Sequence, residues 1–181
     1  MNEPTINPLQ TIQAEALAFR NQFSSLLLAS ADQSGMPHAS YGVYILDESG
    51  RYYLYLSELA QHTRNLIVNP KASVLFIEDE HQTDNLFARR RLSCQCRVER
   101  IDRNSAFWNE IISLFMAQRG STMEMLKGLK DFHLFCLIPE TATYVKGFAK
   151  AYQLDGEHLQ NIRHKNDQGH QGQNTPGIAV S

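Results

Sequence analysis

The sequence predicts a mainly β protein, an antiparallel barrel with flanking α-helices, on three observations. Several short apolar or β-rich runs are separated by turn-forming residues, helix-spaced segments stand at the start and after the fifth run, and no repeated strand–helix–strand alternation marks a parallel sheet. The elements follow in order.

Residues 1–6 carry no pattern and are expected to be disordered. Leu9, Ile12, Ala16, Phe19 and Phe23 then recur at spacings of three and four, which predicts the apolar stripe of a lid helix. The runs 24–32 and 38–47 flank Gln33-Ser34-Gly35-Met36-Pro37, whose turn chemistry predicts a hairpin. Asp47-Glu48-Ser49-Gly50 makes a second turn before the tyrosine-rich strand 51–57. A short helix is predicted over 58–68, with Leu59, Leu66 and Ile67 inward, and Asn69-Pro70 stops it. The run 72–79 is a short apolar strand and 81–85 a polar connection. Leu92, Cys94, Cys96 and Val98 alternate with polar neighbours, which predicts a strand with one wet face. Helical spacing returns over 102–118 through Phe107, Ile111, Ile112 and Phe115, ends at Gly120, and resumes in a short helix near 122–129. The stretch 133–148 reads as two strands broken near Pro139-Glu140, giving about six strands. Beyond Leu154 the apolar content falls, and RHKNDQGHQGQNTPG from Arg163 holds no apolar side chain, so 163–181 is expected to be a mobile tail unless a ligand orders it. The predicted organisation is therefore one domain over 7–162 between two polar ends.

Composition narrows the function. With 181 residues and 43% apolar content there is material for one buried core. The net charge of −2 offers nothing to hold a phosphate backbone or an anionic membrane surface, which argues against nucleic acid. The start MNEPTINPLQ lacks a basic, apolar leader, and no apolar run reaches the roughly 18 residues that span a bilayer. A cytoplasmic protein without membrane insertion is expected. Three cysteines are an odd number, and Cys94 and Cys96 share one strand face, as plain buried thiols do.

In the segment 56–79, Ser57, His62, Thr63 and Arg64 gather hydroxyls and cations near a helix start, where they can offer hydrogen bonds and charge to an anionic group. The alternative is that Ser57 caps the helix and Arg64 is solvated. By position alone Asp131 is a turn residue at a strand start, Arg91 the exposed side of a strand, a tail histidine such as His170 a solvated side chain, and His164 a residue on the last turn of a helix. His38, His81, His133 and His158 fit no metal-ligand spacing and are taken as structural.

The strand–helix–strand stretch LSELAQHTRNLIVNPKASVLFIED (56–79) resembles the FMN-binding split barrel of the pyridoxamine-phosphate-oxidase-like superfamily, in which this region holds the flavin phosphate. LFARRRLS (86–93), LKDFHLFCLIPE (129–140), VKGFAKAY (145–152) and GEHLQNIRHKNDQGH (156–170) narrow the resemblance to its haem-utilisation branch, of HugZ/HutZ type. The likeness runs from about residue 8 to 170. It implies an antiparallel split β-barrel with flanking α-helices, a homodimer, and haem near the subunit interface. It further implies that the histidine of Gly169-His170 is the axial iron ligand, that Asp131 hydrogen-bonds this histidine from the partner subunit, and that Arg91 lies close to the haem; His164, six residues earlier, is the competing ligand. Where the flavin enzymes carry an Arg-Lys pair ahead of the helix, this chain reads Gln61-His62, which weakens the case for FMN, although Thr63 and Arg64 remain.

The chemistry suits these residue types. A neutral imidazole ligates iron best when its other ring nitrogen donates to a fixed acceptor, a role open to Asp131. A guanidinium such as Arg91 can neutralise a haem propionate or donate to oxygen at the iron. The expected function is oxidative degradation of haem to an open tetrapyrrole with release of iron, using an external electron donor. The alternatives are a haem carrier or store and an FMN-dependent oxidoreductase. Ligand capture would order the tail over the pocket.

Overall fold

The computed structural model describes residues 7–165. Helix α1 (Pro8–Phe19) starts where expected, because the Asn7 side chain accepts from the Leu9 amide at 3.0 Å and Pro8 sits at its first position. Ala16 and Phe19 are fully covered, with Leu9 and Ile12 packed beside them, so α1 closes over the barrel interior. A 3-10 turn at Arg20–Gln22 leads to β1 (Ser25–Ala31) and β2 (Pro37–Leu46). Asp32 shapes their hairpin by accepting from the amides of Ser34 and Met36, each at 2.9 Å. Asp47 does the same for the next turn, accepting from the Arg51 amide at 2.9 Å before β3 (Tyr52–Ser57).

Helix α2 (Gln61–Val68) begins three residues later than its sequence pattern predicts. The Glu58 amide donates to the Asp131 carbonyl at 2.8 Å and the Ala60 amide to the Ser57 carbonyl, and these bonds hold 58–60 as a turn. Leu59 is consequently thrown outward, 86% exposed, and Ile67 also faces solvent; of the three residues expected inward, only Leu66 is buried. The helix docks through polar groups instead. Asn65 is buried and donates to Ser30 Oγ on β1 at 3.0 Å, while Gln61 donates to Asn65 Oδ1 at 2.8 Å. Asn65→Ala leaves Ser30 buried without its partner and should cost about 1–3 kcal/mol of stability. A urea midpoint equal to that of the parent protein would show that α2 is held some other way.

Strand β4 (Lys71–Ile77) pairs with β1 and with β5 (Arg91–Ile101), whose Leu92, Cys94, Cys96 and Val98 all point inward as the alternation predicts. Helix α3 (Ala106–Arg119) is capped by Ser105, ends at Gly120 with φ +65°, and is followed by α4 (Ser121–Lys127). Trp108, Ile111, Ile112, Phe115 and Met123 build a second core against Tyr53, Tyr55, Leu134 and Cys136.

The region expected as two strands is one. Strand β6 (Phe132–Gly147) runs 16 residues through Pro139. Its first part pairs with β3 from Leu137 back to Phe132, its last part pairs with the following strand from Thr141 onward, and Pro139 falls between them, where its missing amide proton is not needed on that edge. On the β5 edge the register shifts between Gln95 and Cys96, leaving Glu140 as the extra residue of a bulge. Two strands not evident in the sequence follow, β7 (Lys150–Asp155) and β8 (Asn161–His164). His164 therefore lies in a strand opposite Tyr152, not on a helix, and the sheet continues past residue 162, where composition turns polar. The strand order β3-β2-β1-β4-β5-β6, closed by the β3–β6 pairing, makes a six-stranded antiparallel barrel, with β7 and β8 extending from β6.

Among the described residues no helix is long and apolar enough to cross a membrane. Cys94, Cys96 and Cys136 are free and buried, and burial pushes the Cys94 and Cys136 thiols up to about 11, which keeps them protonated and unreactive.

Candidate functional site

The first cluster forms where β3 ends, α2 begins and β6 starts. Ser57 is paired in register with Phe132, which sets its side chain beside the preceding residue, Asp131. Ser57 Oγ donates to Asp131 Oδ2 at 2.7 Å and itself accepts from the Leu59 amide at 3.1 Å. It does not cap α2, whose N-cap residue is Ala60 and has no side-chain cap bond. Asp131 is thus held twice, through its carbonyl and through one carboxylate oxygen. Its other oxygen, Oδ1, accepts no hydrogen bond from the described residues.

The remaining polar residues around α2 are turned to the protein's own groups. Arg64 spans the turn, donating to the carbonyls of Glu58 at 2.6 Å and Leu59 at 3.1 Å and to Gln61 Oε1 at 2.7 Å. Thr63 is completely buried and its hydroxyl has no hydrogen-bond partner among the described residues. His62 Nδ1 lies 3.0 Å from Ser40 Oγ, and because that hydroxyl donates to the Leu28 carbonyl, His62 donates from Nδ1 and carries its lone pair on Nε2. Burial, then the nearby His38, holds the His62 imidazole below the usual histidine range, so it stays neutral. His133, taken as structural, meets Glu58 at 2.5 Å. Sequence reasoning misses that pair, because nothing in the chain brings residue 58 beside residue 133 until β3 and β6 close the barrel.

The second cluster lies at the other end of β6. Arg91 opens β5, flanked by Ile77 of β4 and Val145 of β6. The two preceding arginines are neutralised, Arg89 by Glu80 at 3.1 Å and Arg90 by Glu78 at 3.2 Å. Arg91 is only half-buried, donates to the Arg89 carbonyl at 2.9 Å, and has no carboxylate partner among the described residues. Beside it a 3-10 turn, Leu86–Ala88, packs on β6 and is fixed by Asn85, whose side chain accepts from the Phe87 amide at 3.0 Å. The turn presents Phe87, 91% exposed, and the hairpin after Gly147 presents Phe148, 77% exposed. These aromatic side chains were not singled out in the sequence, since exposure of a loop phenylalanine leaves no periodic signal.

Arg91 and Asp131 are therefore at opposite ends of a single strand, whose 16 residues follow a contour of about 50 Å at roughly 3.3 Å per residue. Gly169 and His170 lie outside the described residues. His164 packs its ring edge-on against Tyr152, with centroids 4.8 Å apart. No group of three or more histidine, cysteine, aspartate or glutamate side chains that could hold a metal ion occurs among the described residues.

Comparisons with known proteins agree with this architecture. The family described as pyridoxamine 5'-phosphate oxidase matches residues 12–146. The chain is 37% identical over 159 residues to the haem oxygenase HutZ of Vibrio cholerae, covering 88% of this chain and 89% of that protein. The crystal structure of HutZ, described there as a haem storage protein, superposes with a TM-score of 0.65 at 36% identity, covering 73% of this chain and 90% of HutZ. Campylobacter jejuni ChuZ gives a TM-score of 0.76 at 27% identity over 89% of this chain and 65% of its own. With the barrel, its register and a family match over most of its length, the chain belongs to the pyridoxamine 5'-phosphate oxidase family.

Proposed function

We propose that the protein binds haem in a site shared by two copies of the chain and degrades it oxidatively, releasing iron for use in the cytoplasm. The observation that carries this reading is the placement of two groups with capacity left over among the described residues, the Oδ1 of Asp131 and the Arg91 guanidinium, which has no carboxylate partner there, at opposite ends of β6. A single chain separates them, whereas a two-fold, antiparallel pairing of two barrels sets the Asp131 end of each against the Arg91 end of the other. The HutZ comparison supports haem as the ligand.

A surface for such pairing is present. Leu27 faces Tyr41 and Leu75 across the outer side of β1, β2 and β4, Val43 lies alongside, and Leu27, Tyr41 and Val43 are all exposed. The same face opens into a hollow of about 280 Å³ lined by Leu27, Tyr41, Leu75, Ile77 and Arg89, which brings the apolar surface up to the position of Arg91.

Each residue then has a task that its environment permits. His170 supplies an imidazole to the iron, and Asp131 Oδ1 accepts its second ring N–H, fixing the tautomer and strengthening the donor nitrogen. Arg91 meets a propionate or a polar group over the porphyrin face, and Phe87 and Phe148 offer it apolar contact. Haem supplies the redox-active iron and is itself the molecule oxidised, with electrons from an external donor and dioxygen as oxidant.

Two alternatives are separated by simple measurements. Storage without turnover predicts that haem bound to the protein survives reductant and oxygen in the presence of catalase, with no tetrapyrrole formed. A flavin enzyme predicts tight uptake of FMN, but Ser57, His62 and Arg64 already bond to the protein's own groups, Thr63 is buried, and the Arg-Lys pair is absent. Titration of the full-length protein should give stoichiometric haem with a sharp Soret band and little FMN; the reverse preference would overturn the proposal.

A further inference from the structure

We propose that Ser57 is a positioning residue for Asp131, occupying Oδ2 so that Oδ1 is the oxygen presented to the imidazole of the haem ligand. The inference deepens the haem reading and rests on it.

Three observations support this role. The Leu59 amide donates to Ser57 Oγ, so that lone pair is used and the hydroxyl proton is directed to Asp131 Oδ2. The main chain is clamped independently, through the Glu58 amide and the Asp131 carbonyl at 2.8 Å, which fixes the position of the carboxylate but not its rotation. The Ser57 side chain is not drawn into capping α2, which starts at Gln61 without a side-chain cap. A carboxylate can turn about its last bond at little cost. The serine hydroxyl is the one hydrogen-bond donor to this carboxylate among the described residues, and so the group that opposes this rotation. The arrangement is a relay in which the amide orients the hydroxyl, the hydroxyl orients the carboxylate, and the carboxylate orients the ligand.

Ser57 thus belongs to the haem site without touching haem. It was singled out in the sequence as a group for a flavin phosphate, yet its proton is already donated to Asp131.

The test uses the full-length haem complex. In Ser57→Ala the Leu59 amide, on an exposed turn, is free to bond to water, so the barrel should keep its unfolding midpoint. The iron–histidine stretching frequency of the reduced complex should fall between those of the parent protein and Asp131→Ala, and haem transfer to apomyoglobin should quicken by roughly 3- to 10-fold, less than the roughly 10- to 100-fold typical for loss of an outer-shell partner itself. Ser57→Thr keeps the hydroxyl and should restore both. If Asp131→Ala shifts the frequency and Ser57→Ala does not, Ser57 has no positioning role and the haem reading stands. If Asp131→Ala itself leaves the frequency unchanged, Asp131 does not hold the ligand and this inference falls, whereas a full-length protein that takes up no haem at all overturns the haem reading itself.

Discussion

Replacing His170 with alanine is expected to remove the sharp Soret band of the haem complex and to weaken haem binding by at least about a hundredfold. The magnitude follows from bond type: changes to outer-shell partners of a metal-bound histidine typically cost roughly 10- to 100-fold, and losing the ligand itself removes more. The corresponding change at His164 should leave the spectrum nearly intact, because that ring packs against Tyr152 within the β7–β8 pairing. An unchanged spectrum in His170→Ala, or its loss in His164→Ala alone, would reassign the ligand.

Asp131→Ala is expected to reduce haem degradation and haem retention by roughly 10- to 100-fold while leaving the fold in place. Asp131 is half-buried, and its backbone bond to the Glu58 amide survives the substitution. Two side-chain effects remain: the ligand imidazole loses the acceptor that sets its tautomer, and Ser57 loses its partner. Asp131→Asn is the sharper probe, since it keeps the size of the side chain and removes the charge that strengthens the acceptor. Full haem retention and turnover in both variants, measured as apomyoglobin transfer and loss of Soret absorbance under reductant, would exclude Asp131 from the site.

Much of the barrel was legible because its strands leave period-two signals and its turns carry Asp, Gly and Pro at the positions that need them. Strand β5 is the clearest case, with Leu92, Cys94, Cys96 and Val98 all inward. Three features were not legible, each for a physical reason. Pro139 reads as a break, but β6 passes it between two partners and accommodates Glu140 as a bulge, which depends on neighbours distant in sequence. Helix α2 docks by the buried Asn65–Ser30 bond rather than by Leu59 and Ile67, and a polar contact carries no hydrophobic period. Strands β7 and β8 are short, and the turn between them places His158 and Leu159 at φ +53° and +60°, a backbone that their residue types do not announce.

The candidate site was legible as a set of residues and not as an arrangement. Arg91 and Asp131 were picked out through the family resemblance, and the strand register then places them at opposite ends of β6. The environment of each adds what sequence could not supply: among the described residues Arg89 and Arg90 are matched by acids and Arg91 is not, while Asp131 keeps one carboxylate oxygen open. The bond from Ser57 to Asp131 depends on β3 closing against β6, so no local pattern foretells it.

Mixed dimers give the most direct test of a site divided between two chains. An Asp131→Asn chain and an Arg91→Ala chain, each defective alone, can be co-expressed with different tags and the hybrid isolated through both. The account predicts that the hybrid regains one competent site out of two, with haem retention and turnover near half those of the parent protein, because an intact Arg91 on one chain then meets an intact Asp131 on the other. A hybrid as defective as its two parent variants would contradict it and place the whole site within one barrel.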